Sequence, residues 1–104
     1  DKVSMDLPVT IIGYSQGGYI SPKVAEYSKN VSKVIGLACI FRGERFEEQS
    51  IPYHQIHSKT DLVVNYEESF DEFQKLKNKG QYIQLDNEGH KLNPTYFKAL
   101  KTIL

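Results

Sequence analysis

The chain has 104 residues, 39% hydrophobic and 25% charged, the composition of an ordinary soluble globular domain or part of one. Its 13 basic side chains are balanced by 13 acidic ones, which argues against a surface built to bind nucleic acid. The one cysteine, Cys39, cannot close an internal disulfide, and no run approaches the roughly 18 apolar residues of a membrane span; a cytoplasmic location is the expectation.

Residues 8 to 14 (PVTIIGY) are continuously apolar rather than alternating, which predicts a strand buried on both faces. Residues 17 to 29 place Tyr19, Ile20, Val24, Ala25 and Tyr27 at helical spacing, with Lys23, Glu26 and Lys29 opposite, and predict an amphipathic helix. Pro22 would crowd the Gly18 carbonyl and kink it. Residues 33 to 41 (KVIGLACIF) predict a second strand with Cys39 as core filler, and "RGERFEEQS", 42 to 50, a charged loop. A weaker third strand, 53 to 57 (YHQIH), leads into the loop "SKTDLVV".

A helix should follow. Asn65 can cap it, Glu68 stands three residues on as in a capping box, and Gly80 follows its end. Tyr66, Phe70, Phe73 and Leu76 would form its buried stripe. Residues 81 to 86 (QYIQLD) predict a fourth strand, and "NEGHKL" a loop. The last helix would start with Asn93 as cap and Pro94 at the first helical position, and bury Phe97, Leu100 and Leu104. Strands alternating with helices imply an α/β domain with a mostly parallel sheet and flanking helices.

The chemistry concentrates at Gly13-Tyr14-Ser15-Gln16-Gly17, a G-x-S-x-G sequence between the first strand and first helix, which is the context that motif requires. A serine at such a sharp turn sits in strained backbone angles with its hydroxyl thrust out at the carboxyl edge of the sheet. The Gln16 N–H, at the helix start, is placed to stabilise an oxyanion. A glycine-rich turn that merely lets a helix leave a strand explains the same residues, whereas "GYSQGG" fits neither common phosphate-binding loop.

A nucleophilic serine needs a base and a group that orients the base. The fold that carries this motif orders them Ser, then Asp or Glu, then His. Asp61, in the loop after the third strand, and His90, in the loop after the fourth, have that order. In a parallel sheet these loops open on one edge, so Ser15, Asp61 and His90 would converge. A turn-forming Asp and a solvated surface His are the plainer alternatives. His54 and His57 lie three apart on a strand and point to opposite faces, so no metal site is expected there. His57 is expected to brace the acid loop, and Tyr14 to line a substrate pocket or simply pack.

"GYSQGG", "HSKTDLVV" and "EGH" resemble the α/β-hydrolase superfamily, and the Ser-Gln-Gly-Gly turn most resembles its small carboxylesterase and acyl-protein thioesterase branch. In that branch the acid loop usually reads H-G-x-x-D-x-V-V-P. Here Ser58 replaces the Gly and Asn65 the Pro, and neither change removes a catalytic group. The resemblance implies a cofactor-free serine hydrolase acting on a small ester or acyl substrate, with Ser15 as nucleophile, His90 as base, Asp61 as its orienting acid and Gln16 N–H in the oxyanion hole.

The resemblance covers residues 1–104 only as the carboxyl-terminal portion of one hydrolase domain. The missing amino-terminal half, or another chain, is expected to pair with the first strand. A non-catalytic module of the same fold, binding a ligand on the same edge, is the alternative.

Overall fold

The computed structural model describes residues 8–26, 30–42 and 49–104. Its elements run β1 (Val9–Tyr14), α1 (Gln16–Glu26), β2 (Val31–Leu37), β3 (Tyr53–Ser58), α2 (Tyr66–Gln74), β4 (Lys79–Leu85) and α3 (Pro94–Lys101). The four strands form one sheet in the order β1-β2-β3-β4, and every pairing is parallel. This is the expected α/β class.

Alternation along β2 divides the core in two. Ile35 and Leu37 face Ile56, the α3 side chains Tyr96 and Leu100, and Ile103 just beyond the helix. Val34 faces the other way, with Tyr53, Phe73 and Leu76 and the chain beyond β2 at Cys39 and Phe41. Large apolar side chains buried to this degree contribute about 1.5–3 kcal/mol each relative to exposure, so both helix-covered faces are needed to hold the sheet. Lys33 Nζ donates to the Ile103 carbonyl at 2.7 Å, tying the carboxyl end of α3 to β2.

Several expectations are corrected. β1 is an edge strand, with Val9 and Ile12 exposed rather than buried on both faces. α1 covers the side where Ile11 packs, while α3 packs over β3, which leaves Ile12 uncovered. α1 itself buries Gly18, Ser21 and Pro22, not the stripe of Tyr19, Ile20 and Val24, which are exposed. Small residues bring this helix close to the sheet: a Cβ on Gly18 would collide with Cys39. Tyr27 and Lys29 lie outside the described residues.

Helix α1 runs unbroken through Pro22, and one turn back the Ser21 hydroxyl donates to the Gly17 carbonyl at 2.6 Å. β2 stops at Leu37 because Ala38 has φ +52, so Cys39 lies beyond the strand rather than inside it. It is still a buried core residue, and burial pushes its thiol pKa up, which disfavours the reactive thiolate.

At α2, Asn65 Oδ1 accepts from Glu68 N at 2.8 Å, but the Glu68 carboxylate goes to Arg42 at 3.0 Å, so the capping box is only half built. Gly80 is a residue of β4, packed against the His54 ring, and not a helix end. Phe70 stays partly exposed against Tyr66 and Tyr82. At α3, Asn93 caps as expected, accepting from Thr95 N and Tyr96 N. Leu100 is buried as expected, but its buried companions are Tyr96 and, just past the helix, Ile103; Phe97 and Leu104 are exposed. Most of the charged loop, residues 43 to 48, lies outside the described residues.

Candidate active site

Ser15 is the single residue between β1 and α1. Its N–H still reaches the neighbouring strand, donating to the Leu37 carbonyl at 2.9 Å, while its own carbonyl accepts from Tyr19 N at 3.2 Å in the first turn of α1. Serving both elements forces φ to +55, in the left-handed region that L-residues avoid at a cost of about 1–2 kcal/mol. The tight join also explains Gly13, where a Cβ would collide with Ser21 and the Gly17 main chain. Gly17 is different, since a Cβ there meets nothing. The Gln16 N–H opens α1 and by helix geometry has no carbonyl partner within the helix.

The loop after β3 is a turn wound on a carboxylate. Asp61, buried, accepts on Oδ1 from Val63 N and Val64 N, both at 2.8 Å. Its other oxygen, Oδ2, lies 2.8 Å from His90 Nδ1. A carboxylate only accepts, so Nδ1 carries the proton and Nε2 presents its lone pair. That lone pair faces Ser15 Oγ at 3.0 Å, so the serine hydroxyl donates to it. The three residues named from sequence therefore meet in one hydrogen-bonded line, brought from the carboxyl ends of β1, β3 and β4.

His57 sits directly beneath, fully buried. Its Nε2 is 2.8 Å from the Val64 carbonyl, another pure acceptor, so Nε2 is the protonated nitrogen. Nδ1 then accepts from Ser69 Oγ at 3.2 Å, with Gln55 Nε2 equally near at 3.2 Å. Burial is the largest influence on this ring and lowers its pKa, favouring the neutral form. Its 3.4 Å separation from Asp61 Oδ2 is therefore a polar contact rather than an ion pair. Gln55, Ser69 and Tyr82 complete the layer, with the Tyr82 hydroxyl 2.7 Å from Ser69 Oγ. None of these three stood out in the sequence, because a Gln on a strand or a Ser on a helix carries no pattern of its own.

Tyr14 packs its ring 5.3 Å from that of His90, and its hydroxyl donates to the His90 carbonyl at 2.7 Å. The histidine of the other pair, His54, accepts from Gln81 N at 2.9 Å, away from His57. Among the described residues no three His, Cys, Asp or Glu side chains come together as a metal-ligand set. No helix among them is long and apolar enough to cross a membrane.

A family model described as phospholipase/carboxylesterase matches residues 6–104. The chain belongs to the phospholipase/carboxylesterase family of α/β-hydrolases. No curated protein sequence matches it. Among solved structures, it resembles a lipase-esterase related protein from Clostridium acetobutylicum (TM-score 0.76, 17% identity, covering 92% of this chain and 65% of that one). It also resembles acyl-protein thioesterase 2 from Zea mays (TM-score 0.73, 20% identity, 92% and 54%) and a dienelactone hydrolase from Anabaena variabilis (TM-score 0.77, 20% identity, 99% and 49%). At these identities the likeness is one of fold. The chain spans between about half and two-thirds of the length of these structures.

Proposed function

We propose that this family member is a serine hydrolase that cleaves carboxylic ester or thioester bonds through an acyl-enzyme. The observation that carries the reading is the His90 imidazole, held 3.0 Å from Ser15 Oγ on one nitrogen and 2.8 Å from Asp61 Oδ2 on the other. In the reaction Ser15 Oγ attacks the carbonyl carbon while His90 Nε2 takes its proton. His90 then returns that proton to the leaving alcohol or thiol as the carbon–oxygen or carbon–sulfur bond breaks. Water, deprotonated by the same nitrogen, releases the acid and restores Ser15. Asp61 keeps the proton on His90 Nδ1 and balances the imidazolium that forms.

The Gln16 N–H serves as one oxyanion donor, at the positive end of α1. Tyr14 contributes to the substrate side of the site through its ring. The substrate is a small ester or acyl compound, and no step needs a cofactor. The chain is the carboxyl-terminal portion of one α/β-hydrolase domain. The remaining strands of that domain, or another chain, pair with the edge of β1 that no strand among the described residues covers, and bring the second oxyanion donor.

The test is labelling of the full-length protein with a fluorophosphonate, which phosphonylates an activated serine with loss of fluoride. Label on Ser15, lost in Ser15→Ala and His90→Ala, is the expected result. No label, or label on another serine, moves the protein to a ligand-binding module of the same fold.

A further inference from the structure

We infer that Ser58 is a positioning residue for His90, acting with Thr60 through the main chain of residues 88 and 89. The inference rests on the serine-hydrolase reading above. Ser58 stands where the family's acid loop usually has glycine, and its hydroxyl does what a glycine cannot. It is fully buried at the carboxyl end of β3, paired in register with Leu85 of β4. From there it reaches across to the loop that carries His90. Glu88 N donates to Ser58 Oγ at 2.9 Å and Gly89 N at 3.2 Å. Gly89 N also donates to Thr60 Oγ1 at 3.1 Å.

The directions follow from counting donors. Ser58 Oγ faces three N–H groups, those of Thr60, Glu88 and Gly89, and a hydroxyl has two lone pairs and one proton. Its acceptor capacity is full, so its own proton goes to Thr60 Oγ1, 3.1 Å away. Thr60 Oγ1 in turn takes the share of Gly89 N–H that Ser58 cannot. The two hydroxyls therefore form one acceptor unit for two successive N–H groups immediately before His90.

The other side of the same stretch is held by donors. The Tyr96 hydroxyl donates to the Gly89 carbonyl at 3.1 Å, and the Tyr14 hydroxyl to the His90 carbonyl at 2.7 Å. Gly89 has φ +69, so this is a sharp bend whose direction is set by what its peptide groups bond to. Hydroxyls from β1, the end of β3 and the turn after it, and α3 fix both faces of it. The imidazole's aim at Ser15 depends on this frame as well as on the Asp61 carboxylate and the Tyr14 ring that touch the imidazole itself. A displacement of about 1 Å at such a site can cost roughly a hundredfold in rate.

The experiment is steady-state kinetics of the full-length protein on a p-nitrophenyl ester, with Ser58→Ala, Ser58→Gly, Thr60→Val and Thr60→Ser. Both Ser58 variants and Thr60→Val should lower kcat about tenfold or more with KM within about twofold, and Thr60→Ser should restore the wild-type kcat. The low-field proton resonance of His90 Nδ1–H should shift or broaden in the damaged variants and not in Thr60→Ser. Ser58→Ala with wild-type kcat and an unchanged resonance overturns the inference. If both Ser58 variants fail to fold, the exposed Thr60 decides: equal kcat for Thr60→Val and Thr60→Ser overturns it as well. Ser15→Ala separates the two claims, since full activity in that variant defeats the hydrolase reading itself, whereas an inactive Ser15→Ala beside an unaffected Ser58→Ala defeats only the role of Ser58.

Discussion

Val64 links His57 to Asp61, its carbonyl bonded to the imidazole and its N–H to the carboxylate. The imidazole Nε2–H donates to the Val64 carbonyl, and the Val64 N–H donates to Asp61 Oδ1, each at 2.8 Å. A buried neutral histidine thus braces the turn that aims the carboxylate at His90. This bond requires no charge on His57, and burial, which lowers its pKa, keeps it uncharged.

A pH dependence of stability follows. In the unfolded chain His57 takes up a proton near pH 6.5, whereas the folded protein resists doing so until lower pH. Between those values the unfolded state binds more protons. The stabilisation is fully present above about pH 6.5 and is lost as pH falls through the folded value. The slope is at most about 1.4 kcal/mol per pH unit for one such group. His54, also lowered by burial, adds to it with the same sign. Denaturant midpoints at pH 7.5 and 5.5 should differ less in His57→Gln than in the wild type; an equal difference means that His57 is protonated in the native state.

Catalysis should divide the two histidines near Asp61. Ser15→Ala and His90→Ala should each lower turnover of a short p-nitrophenyl ester by about 10³ or more in the full-length protein. Asp61→Asn should also lower it severely, since an amide can donate to Nδ1 and stabilise the wrong tautomer. His57→Ala should act more weakly, through the turn. Turnover abolished in His57→Ala and intact in His90→Ala assigns the base to the wrong ring.

Ser15 carries its strain in every state of the folded protein, because φ +55 is imposed by the Leu37 and Tyr19 hydrogen bonds. Glycine adopts that angle freely, while alanine keeps the strain and loses the hydroxyl as serine's replacement. Both substitutions remove the contact with His90. Ser15→Gly should therefore be more stable than Ser15→Ala by about 1 kcal/mol, read from thermal or denaturant unfolding. Equal stabilities would mean that the turn relaxes once the hydroxyl is gone.

The two glycines that flank Ser15 in the motif should also part company. Gly13→Ala drives a methyl group into Ser21 and the Gly17 main chain, and should cost about 2 kcal/mol or more, or prevent folding. Gly17→Ala meets open space at the start of a helix and should change the stability of this chain by less than about 1 kcal/mol, in the favourable direction.

The site was readable where chain order and sheet topology decide it. Ser15, Asp61 and His90 follow β1, β3 and β4, parallel strands whose carboxyl ends open on one edge of the sheet with β2 between the first two, so naming the loops was enough to bring them together. Helix faces were harder to read. In α3 and the turn after it, Tyr96, Leu100 and Ile103 and the expected Phe97, Leu100 and Leu104 both have regular helical spacing and share Leu100, and only the sheet beneath chooses between them. In α1 the apolar residues suggested one face, yet close approach favours Gly18 and Ser21 over bulk. The bracing role of His57 was legible from its place before the acid loop, whereas its partners Gln55, Ser69 and Tyr82, and the reach of Ser58 to Gly89, were illegible because each joins residues that no periodicity links.

The 104-residue chain, expressed alone, should associate. β1 is an edge strand with exposed Val9 and Ile12, and it carries no charged residue. Such an edge offers unpaired N–H and C=O groups along an apolar strand; native proteins usually blunt that with lysine, proline or a bulge, and here Pro8 and the register shift at Val9/Thr10 protect just the start of the strand. Ile20 on α1 adds further apolar surface, 54% exposed. Sedimentation should show species larger than a monomer, and Ile12→Lys should shift them toward the monomer by placing a charge on the open face. Ester hydrolysis by the isolated chain should be weak, since loss of one oxyanion donor alone typically lowers turnover about 10²–10³-fold. A monodisperse monomer hydrolysing the ester at the full-length rate would show that these residues need neither a strand beside β1 nor a donor from outside, and that the half-fold reading is wrong.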